Sequence, residues 1–357
     1  MPRAPSVIKF GGSSFGGPDG FHQVARYTAE RRSAGEDMVV VVSAPPKLTE
    51  SWRVLLDGVN ENPSQQTIGG LLPRADTVGA YLLAAALDAI DEPARVITAD
   101  LLGIRTDSVF CNATPQNADM TAVRNTLSEG QIVIVPGGQA INGDGDMTWL
   151  GKNSSDVTAI LLAAHLGATV CAICSDVPGV YSADPNTFED AQLMETICYA
   201  DAIVMSVSGA KILHHRAVEL AYDRGIDLQL RLNKPPFNQG TVVGKTGLVQ
   251  AVVPDANSKV IVFPDMQSRA IGLQALNDHN LTLLDLQDVP EQPVVVTCGF
   301  SNPAHILNDA NIPFVETSQK VLTLLNRGRV QRELCPSLSA LEALARSSHN
   351  KFFRAIA

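Results

Sequence analysis

The sequence predicts an α/β protein, a three-layer sandwich built on a mainly parallel sheet, followed by a smaller ferredoxin-like α+β domain. Short β-branched runs alternate with helical stretches through the first part of the chain, and this order is typical of a parallel sheet covered on both faces. The 357 residues also exceed the roughly 250 to 300 at which a single hydrophobic core stops growing. We therefore expect two domains, residues 1–245 and 258–357.

The predicted elements of the first domain follow one another in regular alternation. Strands are expected at 7–10, 38–42, 94–98, 132–135, 169–174 and 226–230. Helices are expected at 22–34, 75–90, 155–166, 199–204 and 211–224. Ligands of such sheets bind outside the carboxyl ends of the strands, so glycine-rich turns after strands are the first candidates for a site.

The second domain is predicted from a change of pattern after residue 246. The polar stretch 254–259 is typical of a linker. A β-α-β-β-α-β order follows at 260–263, 267–278, 281–286, 293–298, 302–310 and 313–316, with a further strand at 321–325 and a last helix at 337–347. That order is typical of a ferredoxin-like module.

Composition and charge exclude several classes of function. The formal net charge is -10, with 27 Lys and Arg against 37 Asp and Glu, which argues against nucleic acid as the main partner. Hydrophobic residues make up 45% of the chain, yet no window approaches the ~18 consecutive apolar residues of a membrane span. The first ten residues lack the apolar run of a signal peptide, so a cytoplasmic location is expected.

The six cysteines are expected to be buried thiols and not a disulfide framework. They are Cys111, Cys171, Cys174, Cys198, Cys298 and Cys335. Cys171 and Cys174 have the CxxC spacing of metal sites, but they lie in a predicted strand, where residues three apart face opposite sides.

The first candidate motif is Lys9 to Ser14, a lysine at a strand end followed by two glycines and two serines. Glycines at this position let backbone N–H groups approach phosphate oxygens, and the lysine adds a point charge. The pattern is weak by itself, because it matches neither GxGxxG nor the P-loop and a tight turn would explain it.

Three more motifs begin after or between predicted elements. Residues 148–156 place Lys152 before a long apolar helix, where Ser155 or Asp156 could cap the helix or the N-terminus could bind an anion. Residues 175–185 form a polar loop after a buried strand, and 208–216 place Lys211 at a helix start. Three of the nine lysines therefore lie in small-residue turns at strand–helix junctions, which predicts a phosphate-handling protein.

Two further patterns resemble ligand loops but differ from them in detail. Residues 142–146 lack the glycine that a calcium loop requires after Asp146, so they predict a hairpin turn. Residues 240–246 are one residue short of a P-loop and are interpreted as a loop near the domain boundary.

Taken together, the ordered motifs resemble the aspartokinase branch of the amino acid kinase family. The resemblance rests on the runs at 9–14, 42–49, 106–113, 151–159, 176–185 and 209–217 and extends to about residue 245. The C-terminal stretch is similar to the regulatory ACT modules of that family, although only about 100 residues remain, fewer than a tandem pair usually needs.

The resemblance implies ATP-dependent phosphorylation of the side-chain carboxylate of aspartate, with Mg²⁺ carried by ATP and not bound by protein ligands. It implies catalytic roles for Lys9, Asp156 and Lys211. It implies an ATP site of Lys9, Gly11, Gly12, Ser13, Ser175, Asp176, Tyr181, Asp184 and Lys211, and a substrate site of Ser43, Thr49, Asp76, Lys152 and Ser155. It also implies a homodimer formed through the C-terminal domain.

Several substrate-side positions depart from the family pattern. The family's Gly-Arg-Gly-Gly-Ser-Asp is Gly151 to Asp156 here, so Lys152 offers a point charge where arginine would offer a bidentate fork. The family's glutamate is the shorter Asp76, and Trp149 adds a bulky ring. These changes leave two alternatives open: a different small amino or carboxylic acid substrate in a specialised pathway, or a non-catalytic relative.

Regulation is predicted from the turn after the first strand of the C-terminal domain. There the chain reads Pro264 to Gln267, without the glycine-bearing turn that effector sites of ACT modules generally use. The sequence therefore does not predict feedback inhibition by lysine or threonine.

Overall fold

The computed structural model describes residues 4–210, 213–285, 294–297 and 302–353. The chain forms two compact units. The first comprises Met1–Gly179 and Arg216–Gly244, and the second comprises Val180–His215 and Lys245–Ala357. The domain boundaries expected from the sequence, 1–245 and 258–357, stay a prediction.

The described residues form the following regular elements. Helices are α1 Pro18–Ser33, α2 Leu48–Val59, α3 Gln65–Leu71, α4 Arg74–Asp88, α5 Ala99–Leu102, α6 Thr121–Ser128, α7 Ser155–Leu166, α8 Tyr199–Val207, α9 His215–Arg224, α10 Met266–Asp278, α11 Pro303–Asp309 and α12 Leu338–Phe353. Strands are β1 Ser6–Phe10, β2 Met38–Val42, β3 Ala94–Val96, β4 Ile104–Thr106, β5 Pro115–Ala118, β6 Ile132–Pro136, β7 Gln139–Asn142, β8 Met147–Trp149, β9 Val170–Ser175, β10 Thr196–Cys198, β11 Asp227–Leu232, β12 Gln239–Gly244, β13 Gln250–Asp255, β14 Lys259–Val262, β15 Thr282–Asp285, β16 Val294–Thr297, β17 Val315–Thr317, β18 Lys320–Asn326 and β19 Arg329–Cys335.

The main sheet of the first unit is mainly parallel, as the sequence predicts. Its strands follow the order β12-β11-β9-β1-β2-β6-β3. Every neighbouring pair is parallel except β11 and β12, which are antiparallel. All five residues of β2 are buried, because helices cover a parallel sheet on both faces.

Helix α7 lies in the interior of the first unit. Ten of its twelve residues are buried, including the polar Ser155, Asp156 and Thr158. A helix that is apolar around its whole circumference belongs in a core and not on a surface. It ends at Gly167, whose φ of +78° allows the left-handed conformation that closes many helices.

The core of the first unit joins the β1 strand to the covering helices. Phe10 is fully buried and makes an edge-on contact with Tyr27 of α1 and with Phe237 of the loop after β11. Such aromatic pairs contribute about 0.5–1.5 kcal/mol beyond the area they bury. These contacts fix the carboxyl end of β1, and with it the start of the glycine turn.

A smaller sheet in the first unit has the strand order β5-β4-β7-β8. Its β7–β8 hairpin turns at residues 143–146, which confirms the hairpin predicted there. The side-chain oxygen of Asn142 accepts hydrogen bonds from the backbone N–H groups of Asp144 (3.1 Å) and Asp146 (2.8 Å), so the side chain itself stabilises the turn.

The ferredoxin-like module predicted for the C-terminal part is present in the second unit. Its strands follow the order β15-β16-β14-β17 and all neighbours are antiparallel. Helices α10 and α11 pack on this sheet through a small core that includes Ile261, Phe263, Leu276 and Leu307.

A second sheet of this unit corrects two expectations. Strand β13 covers Gln250–Asp255 and pairs with β18, so the expected linker is reduced to a turn of three residues. The strand expected at 321–325 is part of β18 and lies in the sheet β13-β18-β19, outside the ferredoxin-like sheet. Helix α12 packs on this sheet through Leu341 and Ala345.

The structure also bears on the loop expected at 240–246, on the helix expected at 211–224 and on membrane spans. The loop expected at 240–246 is instead mostly strand β12. The helix expected to start at 211 begins at His215, and residues 211 and 212 lie outside the described residues. No helix in the described part of the chain is long and apolar enough to cross a membrane.

The cysteines that the structure describes are free and buried, as expected. Burial raises the pKa of the Cys111 and Cys174 thiols to about 12. A thiol with so high a pKa stays protonated at neutral pH and is a poor nucleophile. Cys298 lies outside the described residues.

Candidate functional site

A buried ion pair marks the carboxyl end of β1. The Lys9 ammonium lies 2.7 Å from the carboxylate of Asp156, which is in the first turn of α7. Lys9 is 8% exposed and Asp156 is 5% exposed. Because an unpaired buried charge is strongly unfavourable, each group compensates the charge of the other in this position.

The glycine turn after β1 lies directly beside this pair. The Gly11 N–H donates to the Cys174 carbonyl on β9 (3.0 Å). A Cβ at Gly12 would be 2.5 Å from the carbonyl oxygen of Ala44, so no other residue fits there without a shift of the backbone. A 3₁₀ turn over Gly12–Phe15 follows and places Ser13 at its second position. The predicted phosphate turn is thus built by close backbone packing.

Asn233 fixes this turn from a distant part of the chain and was missed by reasoning from the sequence. Its side-chain oxygen accepts from the Ser13 hydroxyl (2.8 Å) and the Ser14 N–H (3.1 Å), and its amide nitrogen donates to the Ser175 carbonyl (3.3 Å). Asn233 is only 5% exposed. The available signal was a polar residue directly after β11, at the same sheet edge as Ser175.

The segment after β2 contacts the start of α7. The Ser43 hydroxyl is 2.8 Å from the Ser155 hydroxyl. A Cβ at Gly137 would be 2.3 Å from the Cβ of Ser155, and the Gly138 N–H donates to the Thr158 hydroxyl (2.9 Å). Gly137 and Gly138 directly follow the buried strand β6 and form a second glycine pair. This signal in the sequence was overlooked.

Asp76 supports the Ser43 segment from α4. Its carboxylate accepts a hydrogen bond from the backbone N–H of Ala44. Burial raises the pKa of Asp76 from 3.8 to about 8, although the Ala44 N–H and the charge of Lys9 oppose the rise. One turn later, a Cβ at Gly79 would be 2.6 Å from the Ser43 carbonyl, so helix and segment are in close contact.

Lys152 and Glu50 form a looser ion pair nearer the surface. The Lys152 ammonium lies 3.6 Å from the Glu50 carboxylate, with 37% and 54% of the side chains exposed. Glu50 follows the half-buried Thr49 in α2. Asn153 has a φ of +62°, the left-handed conformation in which the family pattern has glycine.

The loop before Lys152 is held by Trp149 and Arg216. Trp149 is 5% exposed, and its ring nitrogen would be 3.1 Å from a Cβ at Gly138. Arg216 donates to the carbonyls of Ala113 (3.0 Å) and Leu150 (3.4 Å). It belongs to the first unit, whose second segment begins at this residue. The bulky ring therefore packs beneath the loop as part of the core.

The remaining expected nucleotide residues are divided between the two units. Ser175 and Asp176 belong to the first, where the Ser175 hydroxyl donates to the Val177 carbonyl (2.8 Å). Tyr181 and Asp184 belong to the second. The Asp184 carboxylate accepts from the Asn186 N–H (2.9 Å).

The turn that precedes Lys211 is described, while Lys211 itself lies outside the described residues. Gly209 has a φ of +94°, and a Cβ there would be 2.6 Å from the carboxyl carbon of the buried Asp255. The position therefore requires glycine both for its conformation and for space.

The family model and the similar proteins indicate the same family. The model of the amino acid kinase family matches residues 5–231. The aspartokinase of Geobacillus stearothermophilus is 38% identical over 237 residues, which are 66% of this chain and 58% of that one. The aspartokinase of Thermus thermophilus is 32% identical over 294 residues, 80% of this chain and 72% of that one. The chain spans 57% of the length of the aspartokinase of Bacillus sp. MGA3, at 37% identity over 66% of this chain.

Solved structures show the same fold. The aspartate kinase of Synechocystis has a TM-score of 0.61 at 27% identity and matches 91% of this chain and 60% of that chain. Aspartokinase III of E. coli, solved with aspartate and ADP, has a TM-score of 0.71 at 22% identity and matches 90% of this chain and 87% of that one.

Proposed function

The chain belongs to the aspartokinase branch of the amino acid kinase family, and we propose that it transfers the γ-phosphoryl group of ATP to the side-chain carboxylate of aspartate. The observation that carries this proposal is the buried Lys9–Asp156 pair beside the glycine turn. A fixed cation next to tightly packed backbone N–H groups is suited to a phosphate chain.

The chemistry requires charge compensation more than proton transfer. A side-chain carboxylate has a pKa near ~4, so it is already ionised at neutral pH and needs no general base. A carboxylate oxygen forms a bond to the γ-phosphorus while the bond from that phosphorus to the β,γ-bridging oxygen breaks, and its electron pair leaves with ADP. The products are 4-phospho-aspartate and ADP.

The phosphate side of the proposed site consists of Lys9, Gly11, Gly12, Ser13 and Lys211. Lys9 neutralises the transferring phosphoryl group, and Asp156 holds its ammonium in place at 2.7 Å. In this turn the Gly12 N–H is proposed as a donor to phosphate, since the Gly11 N–H already donates to the Cys174 carbonyl. Lys9 and the glycine turn are fixed before the substrate arrives, so little reorganisation of these groups is needed in the transition state.

Further residues are proposed to contact the nucleotide and the acceptor acid. Ser175 and Asp176 of the first unit are proposed to contact the nucleotide, and Tyr181 and Asp184 are nucleotide residues by the family resemblance alone. Ser43, Thr49, Lys152 and Ser155 face the acceptor acid, and the contact between the Ser43 and Ser155 hydroxyls supports a shared role. Asp76 supports this surface by holding Ala44.

Mg²⁺ is proposed to enter with ATP. The buried acid at the centre, Asp156, is engaged by Lys9, so we assign the ion to the phosphate oxygens of ATP and not to a protein carboxylate. When bound, Mg²⁺ supplies additional positive charge to the transferring phosphoryl group.

A second candidate is a kinase of the same family with another small amino or carboxylic acid as acceptor. Lys152 in place of arginine and the short Asp76 favour it, because both change the groups that would meet the acceptor backbone. A third candidate, a non-catalytic relative, would keep nucleotide binding alone.

One assay separates these candidates. ADP release is measured with Mg-ATP and a panel of amino and carboxylic acids, and acyl phosphate is trapped with hydroxylamine. Turnover with aspartate supports the proposal, turnover with a different acid alone supports the second candidate, and no turnover with any acid supports the third.

Assembly and location are proposed on the same basis. A homodimer through the C-terminal domain and a cytoplasmic location agree with the family and with the ferredoxin-like module of the second unit. Light scattering of the full chain would test whether it forms a dimer.

A further inference from the structure

Arg216 lies in the first turn of α9, where a cation is electrostatically unfavourable. Helix α9 begins at His215, so Arg216 is its second residue. The N-terminal end of a helix carries a partial positive charge, which disfavours a cation there. Burial also lowers the pKa of the guanidinium, although the charges of Asp107 and Glu219 oppose this effect. The stability of α9 itself therefore does not explain an arginine at this position.

The guanidinium instead binds oxygen atoms of two separate segments of the first unit. One segment is the β4–β5 connection, residues 107–114, and the other is the residue directly after β8. The four acceptors are the carbonyls of Asn112 (3.3 Å), Ala113 (3.0 Å) and Leu150 (3.4 Å) and the hydroxyl of Thr114 (3.1 Å). Within the part of the chain that the structure describes, no acid lies at ion-pair distance from Arg216. A planar fork with five N–H donors is suited to join two backbone segments in this way.

Leu150 leads into the turn that precedes α7. Its N–H donates to the Gly138 carbonyl (2.9 Å), and its own carbonyl accepts from the guanidinium. Six residues later, in the first turn of α7, the Asp156 carboxylate lies 2.7 Å from the Lys9 ammonium. A displacement of Leu150 therefore changes where α7 begins, and with it where Asp156 meets Lys9.

We propose that Arg216 is a positioning residue of the kinase reaction, which fixes Leu150 to the β4–β5 connection and thereby aligns the Lys9–Asp156 pair. This inference rests on the proposed function and gives a role to a side chain that contacts neither substrate in that function. A cation stabilises the transferring phosphoryl group only when it is held in the right place, and a misplacement of about 1 Å can cost on the order of 10²-fold in rate. Loss of Arg216 therefore lowers kcat more than it raises KM for ATP.

The kinetic test uses the full chain with Arg216→Met, a substitution that keeps an unbranched side chain without the guanidinium. We expect kcat to fall by roughly 10- to 100-fold and KM for ATP to change by less than about threefold. Arg216→Lys should resemble Arg216→Met more than the wild type, because one ammonium does not replace the fork. Arg224→Met is the matched control, since Arg224 is an exposed arginine at the other end of α9, and it should behave as wild type. An Arg216→Met chain that keeps most of its kcat overturns the proposal.

A double-mutant cycle tests whether Arg216 acts through Lys9. If it does, Lys9→Met/Arg216→Met should lose little more kcat than Lys9→Met alone, because the group that Arg216 helps to align is already absent. Losses that multiply would show that Arg216 acts independently of Lys9 and would overturn the proposed role.

Hydrogen exchange supplies a measurement that does not depend on activity. In Arg216→Met the amides of residues 112–114 and 150–158 should exchange faster than in the wild type, while those of β1 and β2 should keep their protection. Unchanged exchange at 150–158, or an equal loss of protection across the whole first unit, overturns the positioning role. A wild-type chain that forms no acyl phosphate with any acid overturns the proposed function instead, and the exchange data then still show whether Arg216 fixes Leu150.

Discussion

The Lys9 ammonium and the Asp156 carboxylate, 147 positions apart in the chain, meet at 2.7 Å inside the first unit. β1 brings the lysine to the sheet edge, and α7 brings the aspartate to the same edge from the covering layer. Removing two charges from water is costly, and a purely structural core would use apolar residues of the same volume. The pair is therefore best explained by a requirement for a positioned cation.

Lys9→Met should lower kcat on the order of 10²-fold or more, because the transferring phosphoryl group loses its fixed cation. The variant also leaves Asp156 without its cation, so it should be less stable than the wild type. The double variant Lys9→Met/Asp156→Asn should recover stability but not activity. Steady-state kinetics and urea unfolding measure both effects, and a single variant that keeps most of its kcat would contradict the assignment.

Gly12→Ala should destabilise the first unit by about 1–3 kcal/mol, the usual cost of overpacking. A Cβ there meets the Ala44 carbonyl at 2.5 Å, so the turn or the Ser43 segment must move. KM for ATP should rise with the displacement. Gly16→Ala is the control, since nothing lies within 4 Å of its added Cβ. Equal unfolding midpoints for the two variants would show that the turn is more adaptable than its packing indicates.

Much of the fold could be predicted because the hydrophobic pattern along the chain indicates the helices and strands and their order. Helix α7 has the bounds 155–166 that its composition indicates, and the β-α-β-β-α-β order gives the ferredoxin-like sheet. The glycine-bearing run 240–246 predicts a loop near the domain boundary, but most of it forms strand β12. The structure gives the reason for the first glycine: a Cβ at Gly240 would be 2.4 Å from the Pro178 carbonyl.

The candidate site was predicted only where its residues lie in recognisable turns. Lys9, Gly12 and Ser155 lie in such turns, and their roles in the site stay predictions. Asn233 was not, because its role depends on contact with Ser13, 220 positions earlier, and no local pattern reports such a contact. The raised pKa of Asp76 was also inaccessible, since burial of a carboxyl group is a property of the folded chain.

Asp76→Asn should change how stability depends on pH. The folded-state pKa of about 8 lies above the ordinary 3.8. The contribution of this group to the free energy of unfolding is therefore fully present below about pH 4 and is lost as the pH rises toward 8. Asparagine does not titrate and still offers an oxygen to the Ala44 N–H. The melting temperature of the variant minus that of the wild type should therefore increase from pH 5 to pH 8.

Parallel melting curves of the two proteins at pH 5, 6.5 and 8 measure this difference. A constant difference across the three values would mean that Asp76 is ionised in the folded protein throughout the range. The measurement is independent of catalysis, so it tests the environment of the carboxyl group even if the acceptor acid proves to be different.

Phe188→Ala should weaken both the second unit and nucleotide binding. The ring is 6% exposed and lies 4.8 Å from the ring of His349 on α12, and the Phe188 N–H donates to the Asp184 carbonyl (2.9 Å). Large-to-small substitutions of this kind cost about 3–5 kcal/mol. The backbone N–H of residue 188 is kept, but KM for ATP should rise because the turn from Asp184 loses the packing of the Phe188 ring on α12. Leu193→Ala, at a residue 39% exposed, should have little effect on stability.

Asn233→Ala should raise KM for ATP by roughly 10-fold while KM for the acceptor acid changes little. The side chain joins Ser13 and Ser14 of the phosphate turn to Ser175, so its loss frees the turn without touching the acceptor surface. Asn238→Ala removes an exposed amide from the same loop and should behave as wild type. Asn233→Asp keeps the oxygen acceptor but loses the donor to Ser175, so it should fall between the two. Equal increases in both KM values would instead indicate a general loss of structure.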